Sequence, residues 1–459
     1  MYLHKKNNYN AKLFVSLVLV LLGIMALMLS QIYSAPSYLI SSIVILILFA
    51  FSIYLYGLVS VPVIVFSAAY LPALAFLWAA INGAQYINYH NFWLQNNIYY
   101  VDYSVFLASI SMLFSFAFLL LVSISMLKRV NAYRSGLNLG HFIYFICTIS
   151  SAFFFWLTEP SFNTIISSSY DVVLEERIEN TQYAGAVAII FWLFALLSYL
   201  NRKQLGYCKY RILDRLFIAV TVFSVLWLAL HARRSELIGI GLVWILILAD
   251  NNGKRKAALV AGLLAIILFV IGEVRSISLI LFFSNEGSIN QVSNIAKLPG
   301  GMSNIFMTFL NTIHYYDSHP YIYGETFINY ILQILPTSIY NTFGVQIPDY
   351  FYQMYYNYSY NGGNYLGSMF YGNFGLFGII ILGLYVSAYV IFVVKLINST
   401  VPVSRVVGLF LLAFLFRGFW YELITIIKPI LLVFLPIYIL YKIKFFNQKA
   451  IIRNLNSTE

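Results

Sequence analysis

Apolar runs of the length a bilayer demands recur from one end of this chain to the other. A spanning helix needs about 20 apolar residues. Twelve stretches qualify, at about 13–31, 37–56, 57–80, 103–127, 140–158, 183–200, 216–232, 235–249, 257–275, 366–394, 403–421 and 424–441. Of the 459 residues, 61% are hydrophobic and 9% charged, too little charge to coat a soluble protein of this size. The pattern predicts an all-α polytopic membrane protein with about 12 transmembrane helices, forming a single integral membrane domain over 1–459. The first run, from Leu13, is longer than a signal-peptide core and reads as a retained first helix.

The charges orient the chain. With the N-terminus inside, 20 of the 27 Lys and Arg residues fall in cytoplasmic loops, and 13 of the 16 acids fall outside. That asymmetry is the positive-inside pattern, with both termini cytoplasmic. The net charge of +11 is therefore an orientation signal and does not point to nucleic acid. Cys147 in an apolar run and Cys208 in a basic loop imply neither a disulfide framework nor a metal site. The external face then carries three segments, 81–102, 159–182 and 276–365. The last, between helices 9 and 10, is far longer than a connection requires and is expected to fold over the outer face as one long extracytoplasmic loop.

Two adjacent arginines interrupt the apolar stretch "LALHARRSELIGIG". On this topology Arg233 and Arg234 face outward, against the charge trend. Leu216 to Ala249 supplies 34 residues for two helices and a turn, so both helices should be short and the turn sunk below the outer lipid surface. A cation there needs a cavity, a local acid or an anionic ligand. Arg275 ends the ninth helix, Arg417 ends the eleventh in "FLFRGFWYE", and Lys428 opens the twelfth. Local pairing offers Glu236 to Arg233 and Arg234, Glu273 to Arg275, and Glu422 to Arg417. The alternative is convergence of Arg233, Arg234, Arg275 and Arg417 on one phosphate group at the lipid surface, since a planar guanidinium grips phosphate oxygens in pairs.

The long outer segment holds 13 tyrosines between Tyr315 and Tyr365. An aromatic belt explains them, and so does stacking on sugar rings. Within it, "ETFINYILQIL" places Phe327, Ile331 and Leu335 at helical spacing, with Ile328 and Leu332 alongside, and Pro336 ends the pattern. That predicts an amphipathic helix lying on the membrane or capping a cavity. Just before it, "HYYDSHP" and "YGET" bring His314, Asp317, His319 and Glu325, four side chains able to move a proton. Two imidazoles at this spacing without a cysteine form a poor zinc set, so no metal and no cofactor are expected.

The run "HPYIYGETFINYILQILP", followed by "GGNYLGSMFYGNFGLFGI", resembles bacterial O-antigen polymerases, the Wzy-type oligosaccharide repeat-unit polymerases. So does the arginine turn "HARRSELIG". The resemblance implies a fold similar to type-C glycosyltransferases and O-antigen ligases, in the bacterial cytoplasmic (inner) membrane. It implies polymerisation of undecaprenyl-pyrophosphate-linked repeat units into O-antigen or capsular polysaccharide, with release of undecaprenyl pyrophosphate and no nucleotide sugar. A polysaccharide chain-length regulator is an implied partner, beside membrane lipid. On this reading Arg233, Arg234, Arg417 and Arg275 bind pyrophosphate, and His319 or Glu325 activates the acceptor hydroxyl, with His319 preferred. Tyr321, Tyr323 and Tyr365 hold glycan. Two other readings stand beside it: a flippase or transporter of the same lipid-linked oligosaccharide, and an O-antigen ligase. Transporters gather ionisable groups near the midplane, whereas here they gather at helix ends.

Overall fold

The structure is a computed structural model. It describes residues 2–32, 38–81, 98–122, 124–128, 137, 139–158, 184–204, 211–230, 234–251, 253, 255–263, 301–334, 365–420 and 423–439. The secondary structure of these residues is helical throughout. In chain order the helices are α1 (Tyr2–Ser30), α2 (Tyr38–Tyr56), α3 (Val61–Ile81), α4 (Ile98–Leu121), α5 (Ile124–Lys128), α6 (His141–Leu157), α7 (Ala184–Gln204), α8 (Arg211–Leu230) and α9 (Arg234–Asn251). After a helical stretch at 255–263 come α10 (Gly301–Tyr316), α11 (Glu325–Gln333), α12 (Leu366–Ile397), α13 (Pro402–Ala413), α14 (Leu415–Trp420) and α15 (Ile424–Pro429), the last continued by a π-helical turn at Ile430–Phe434.

Among the described residues, six helical segments are long and apolar enough to cross a membrane: Ala11–Ser30, Tyr38–Tyr56, Tyr99–Leu121, Ala184–Gln204, Arg211–Ala229 and Leu366–Ile397. The chain is a polytopic α-helical membrane protein. The described parts of the other expected segments are largely helical, and several are shorter than a span or interrupted. The expected eleventh helix, for instance, breaks at Phe414 into α13 and α14. The expectation for the arginine turn also changes, because α8 begins at Arg211, five residues before Leu216, and reaches spanning length by itself.

Burial sorts the helices into layers. Of the apolar window of α4, 83% is buried, against 17% for α1 and 28% for α2. α4 lies at the centre, clasped by α1, α2 and α12, while α7 packs against α6 and α13. The outer helices turn Phe14, Leu21, Met25, Ile40, Leu46 and Phe223 outward. Apolar surface of that extent suits hydrocarbon, which carries no penalty for it.

Between the central helices, small polar residues replace the hydrophobic contacts that would have no driving force in lipid. The Ser115 hydroxyl donates to the Gly383 carbonyl at 2.9 Å and accepts from the Tyr70 hydroxyl at 2.6 Å. The Ser387 hydroxyl returns a bond to the Ser115 carbonyl at 2.9 Å. A Cβ on Gly383 would lie 2.8 Å from the Ser111 carbonyl oxygen, so the close approach of α12 to α4 requires glycine there.

Part of the segment expected as one outer loop is an interior helix. Residues 305–313 of α10 are all buried, wedged among α3, α4 and α12. Thr308, Asn311 and Thr312 are each at most 1% exposed. Residues 264–300 and 335–364 lie outside those the structure describes.

Candidate functional site

Two of the three stretches that carry the family resemblance are docked on one another. After α10 the chain runs through a turn into α11, and this turn lies against the first third of α12. The Ile322 N–H donates to the Gly372 carbonyl at 3.1 Å. The Gly324 N–H donates to Asn373 Oδ1 at 2.9 Å, and Asn373 Nδ2 donates to the Thr326 hydroxyl at 3.1 Å and the Met369 carbonyl at 2.7 Å. Asn373 is wholly buried, so its amide holds the turn where water cannot compete. Phe327 packs between Phe370 and Phe374. α12 accommodates the turn by breaking at Gly375, whose φ of 57° and ψ of −138° are open only to glycine, and a side chain there would strike Tyr321.

This docking positions His319. Its ring stacks on Tyr315 with 4.0 Å between centroids and 5° between planes. Nδ1 lies 2.9 Å from the Tyr315 carbonyl oxygen and 3.0 Å from the Ser318 hydroxyl. A carbonyl oxygen only accepts, so the short contact assigns the hydrogen to Nδ1. Nε2 is then the basic nitrogen of an exposed ring. Glu325 is exposed at the first position of α11. His314 meets the Tyr100 ring edge-on at 4.8 Å, at the end of the bundle where α4 begins.

α11 is amphipathic, with its sides reversed relative to a soluble helix. Thr326, Asn329 and Tyr330 are buried, while Ile328 and Ile331 are 59% and 66% exposed. The polar side faces the protein and the aliphatic side faces outward, the arrangement expected of a helix at a membrane surface. Leu335 and Pro336 lie beyond the described residues.

The three tyrosines expected to hold glycan occupy different surroundings. Tyr323 is 75% exposed, beside Gly324 at the top of the turn. Tyr321 is half-buried, stacked on Tyr316 and edge-on to Tyr371. Tyr365 does not fit the role: it is 2% exposed, its ring lies against Phe306 and Phe309, and its hydroxyl donates to the Ala69 carbonyl at 2.7 Å. α3 also carries Pro72 inside it. Proline has no N–H for the carbonyl one turn back, which is that of Ala68. Trp420 fills that vacancy, its indole N–H donating to the Ala68 carbonyl at 2.7 Å. One turn of α3 thus anchors both the start of α12 and the end of α14.

Arg417 lies on α14, three residues from Trp420. Its partner is Glu236 on α9, with Nη1 to Oε1 at 3.0 Å. The Ser235 hydroxyl donates to the other carboxylate oxygen at 2.6 Å. Glu236 is 2% exposed, in the first turn of α9, where the helix N-terminus favours a negative charge. Gly185 of α7 makes room for it, since a Cβ there would lie 3.0 Å from Oε1. Gly239 lets α9 approach the Ala413 carbonyl at the break between α13 and α14. The local pairs considered from sequence gave Glu236 to Arg233 or Arg234 and Glu422 to Arg417, whereas the structure gives Glu236 to Arg417. Arg233, Arg275 and Glu422 lie outside the described residues, as does the side chain of Arg234, whose backbone opens α9.

Sequence reading overlooked "IYYVDY" at the start of α4. Tyr100 of that stretch meets the HYYDSHP turn through the His314 ring, and Tyr99 stacks on Tyr103. The only sequence signal was a cluster of tyrosines at a helix start, which an aromatic belt explains equally well.

No protein-family model matches the chain, and no curated protein or solved structure is significantly similar to it.

Proposed function

We propose that this protein polymerises oligosaccharide repeat units carried on undecaprenyl pyrophosphate, at the outer face of a bacterial cytoplasmic membrane that its chain crosses twelve times. The observation that carries the reading is the docking of the two family-like stretches into one unit that exposes the basic nitrogen of His319. The reaction needs three things: a base for the acceptor hydroxyl, cations for the leaving pyrophosphate, and surfaces that hold sugar.

His319 Nε2 takes the proton of the acceptor hydroxyl as its oxygen bonds to the anomeric carbon of the growing chain. The bond from that carbon to the pyrophosphate oxygen breaks, and the electron pair leaves with the lipid pyrophosphate. The sugar passes through an oxocarbenium-like state. Arg417 stabilises the charge gathering on the leaving oxygens, together with Arg233, Arg234 and Arg275. Glu236 sets the direction of the Arg417 guanidinium. Glu325 is the second choice for the base, and Tyr321 and Tyr323 line the glycan path.

A lipid-linked oligosaccharide transporter is the second reading. It is favoured by the interrupted helices: α3 at Pro72, α12 at Gly375, and the break between α13 and α14. The test separates the two. Purified protein in detergent receives a synthetic lipid-pyrophosphate repeat unit, with chelator and no nucleotide sugar. A ladder of longer lipid-linked glycans that His319→Gln abolishes is expected. Absence of a ladder over several repeat units, with flipping in proteoliposomes, would replace the polymerase with the transporter. Transfer only to an added lipid A core would indicate a ligase.

A further inference from the structure

The helical segment Thr425–Ile439, which contains α15 and the π-helical turn, is held to the bundle unevenly. Past Pro429 the helix widens, and the Leu435 N–H donates to the Ile430 carbonyl, five residues back. Such turns recur at functional sites. Phe434 of this turn packs inward, its ring centre 6.4 Å from that of Phe194 and 5.3 Å from that of Phe410. Of residues 430–439 only Phe434 is buried. α12 and α13, by contrast, are pressed together, since a Cβ on Gly408 would lie 2.7 Å from the Ile397 nitrogen. A groove of about 170 Å³ runs between that tight pair and the loosely held segment.

The walls decide what enters. Leu396 of α12, Val403 and Val407 of α13, and the face from Ile430 to Leu435 present hydrocarbon, and only Ser404 and Tyr438 bring hydroxyls. Water gains few hydrogen bonds along such walls. From Ile430 to Tyr438 the groove follows about 12 Å of helix. The same segment turns Leu432 and Ile439 outward, 51% and 48% exposed, so a chain from the surrounding bilayer reaches the groove from the side. Charge then selects the head of that chain. The groove lies where α12 ends and α13 begins, and the exposed Lys395 in the last turn of α12 is the neighbour of Leu396. Arg405 follows Ser404 and adds its charge at this end, donating to the Ser399 carbonyl at 2.9 Å. From residue 350 to 458 the sequence holds a single acid, Glu422, which precedes the loosely held segment. The groove therefore joins apolar walls to an excess of positive charge.

We propose that this groove binds one acyl chain of an anionic phospholipid, with the lipid phosphate at Lys395. The lipid comes from the leaflet on the side that the charge pattern assigns to the cytoplasm. The site requires no glycosyl transfer. The pyrophosphate of the proposed reaction is handled by Arg417, beyond the other end of α13.

The test uses the full chain in detergent, stripped of lipid and then offered phosphatidylglycerol or phosphatidylcholine with the same acyl chains. Native mass spectrometry reads the lipid retained. Wild type holds phosphatidylglycerol about fivefold more tightly than phosphatidylcholine, the share of one cation near a lipid surface. Ser404→Phe fills the groove and weakens both lipids about tenfold, as if roughly two methylenes were shut out. Lys395→Gln removes most of the preference for phosphatidylglycerol and leaves phosphatidylcholine unchanged. Melting temperatures show that each variant is folded. Independently of any variant, phosphatidylglycerol with a diazirine on its acyl chain labels residues 403–407 and 430–438 of the wild type. Equal retention of the two lipids, retention unchanged in folded Ser404→Phe, or label confined to other helices would each overturn the proposal. Displacement of phosphatidylglycerol by a lower concentration of undecaprenyl phosphate would overturn it too, and would give the groove to the substrate lipid.

Discussion

Arg202 and Arg417 are guanidinium groups each paired with a carboxylate on another helix, and they are built in opposite ways. Arg202 on α7 reaches Asp214 on α8 at 3.3 Å, with side-chain exposures of 2% and 21%. Its guanidinium carbon sits 3.5 Å from the centre of the Tyr144 ring on α6, and the Tyr144 hydroxyl completes the triangle to Asp214 at 3.3 Å. The cation is sealed and the acid is vented. For Arg417 and Glu236 the exposures are 15% and 3%. There the acid is sealed and the cation keeps an open edge. A sealed cation can only clasp helices. A cation whose partner is fixed behind it can be aimed at an incoming anion.

Four substitutions bear on that contrast. The largest effect is expected from Arg417→Ala, which removes the guanidinium 3.0 Å from the sealed Glu236 carboxylate. Stability in detergent should fall by about 3–5 kcal/mol, and the glycan ladder should vanish. Asp214→Ala removes the carboxylate paired with the sealed Arg202 and should lower stability by about 3 kcal/mol, while the ladder rate per folded molecule stays at the wild-type level. An equal loss of ladder in both variants would break the comparison. Trp420→Phe strands the Ala68 carbonyl for about 1–3 kcal/mol and loosens the helix that carries Arg417. A slower ladder is expected from it, and an unchanged one would separate Arg417 from its α3 anchor. His319→Gln, at an exposed position, should move stability by no more than about 0.5 kcal/mol and yet remove the ladder. Thermal unfolding and the ladder assay on the same preparations read all four.

Much of this architecture is legible residue by residue. Segments such as Tyr38–Tyr56 and Leu366–Ile397 follow from local hydropathy, because the decision to enter lipid is a sum over neighbouring side chains. The short helix after Gly324 follows from apolar spacing in "ETFINYIL". His319 was readable as a titratable group. Its hydrogen on Nδ1 was not, since that depends on a carbonyl one turn earlier in the chain.

Sequence alone therefore determined the membrane class, most of the helical segments and the kinds of side chain available for chemistry. Only the packing of helices decided which of those side chains meet. Glu236 and Arg417 are 181 positions apart. Tyr365 is held in the core by the Ala69 carbonyl of another helix, 296 positions away. α11 turned its isoleucines outward because α12 offered Asn373 to its polar side. Hydropathy is additive along the chain and carries no record of neighbours in space. A hydrogen bond or ion pair exists only when two backbones have been brought within a few ångströms, and that is a property of the assembled bundle.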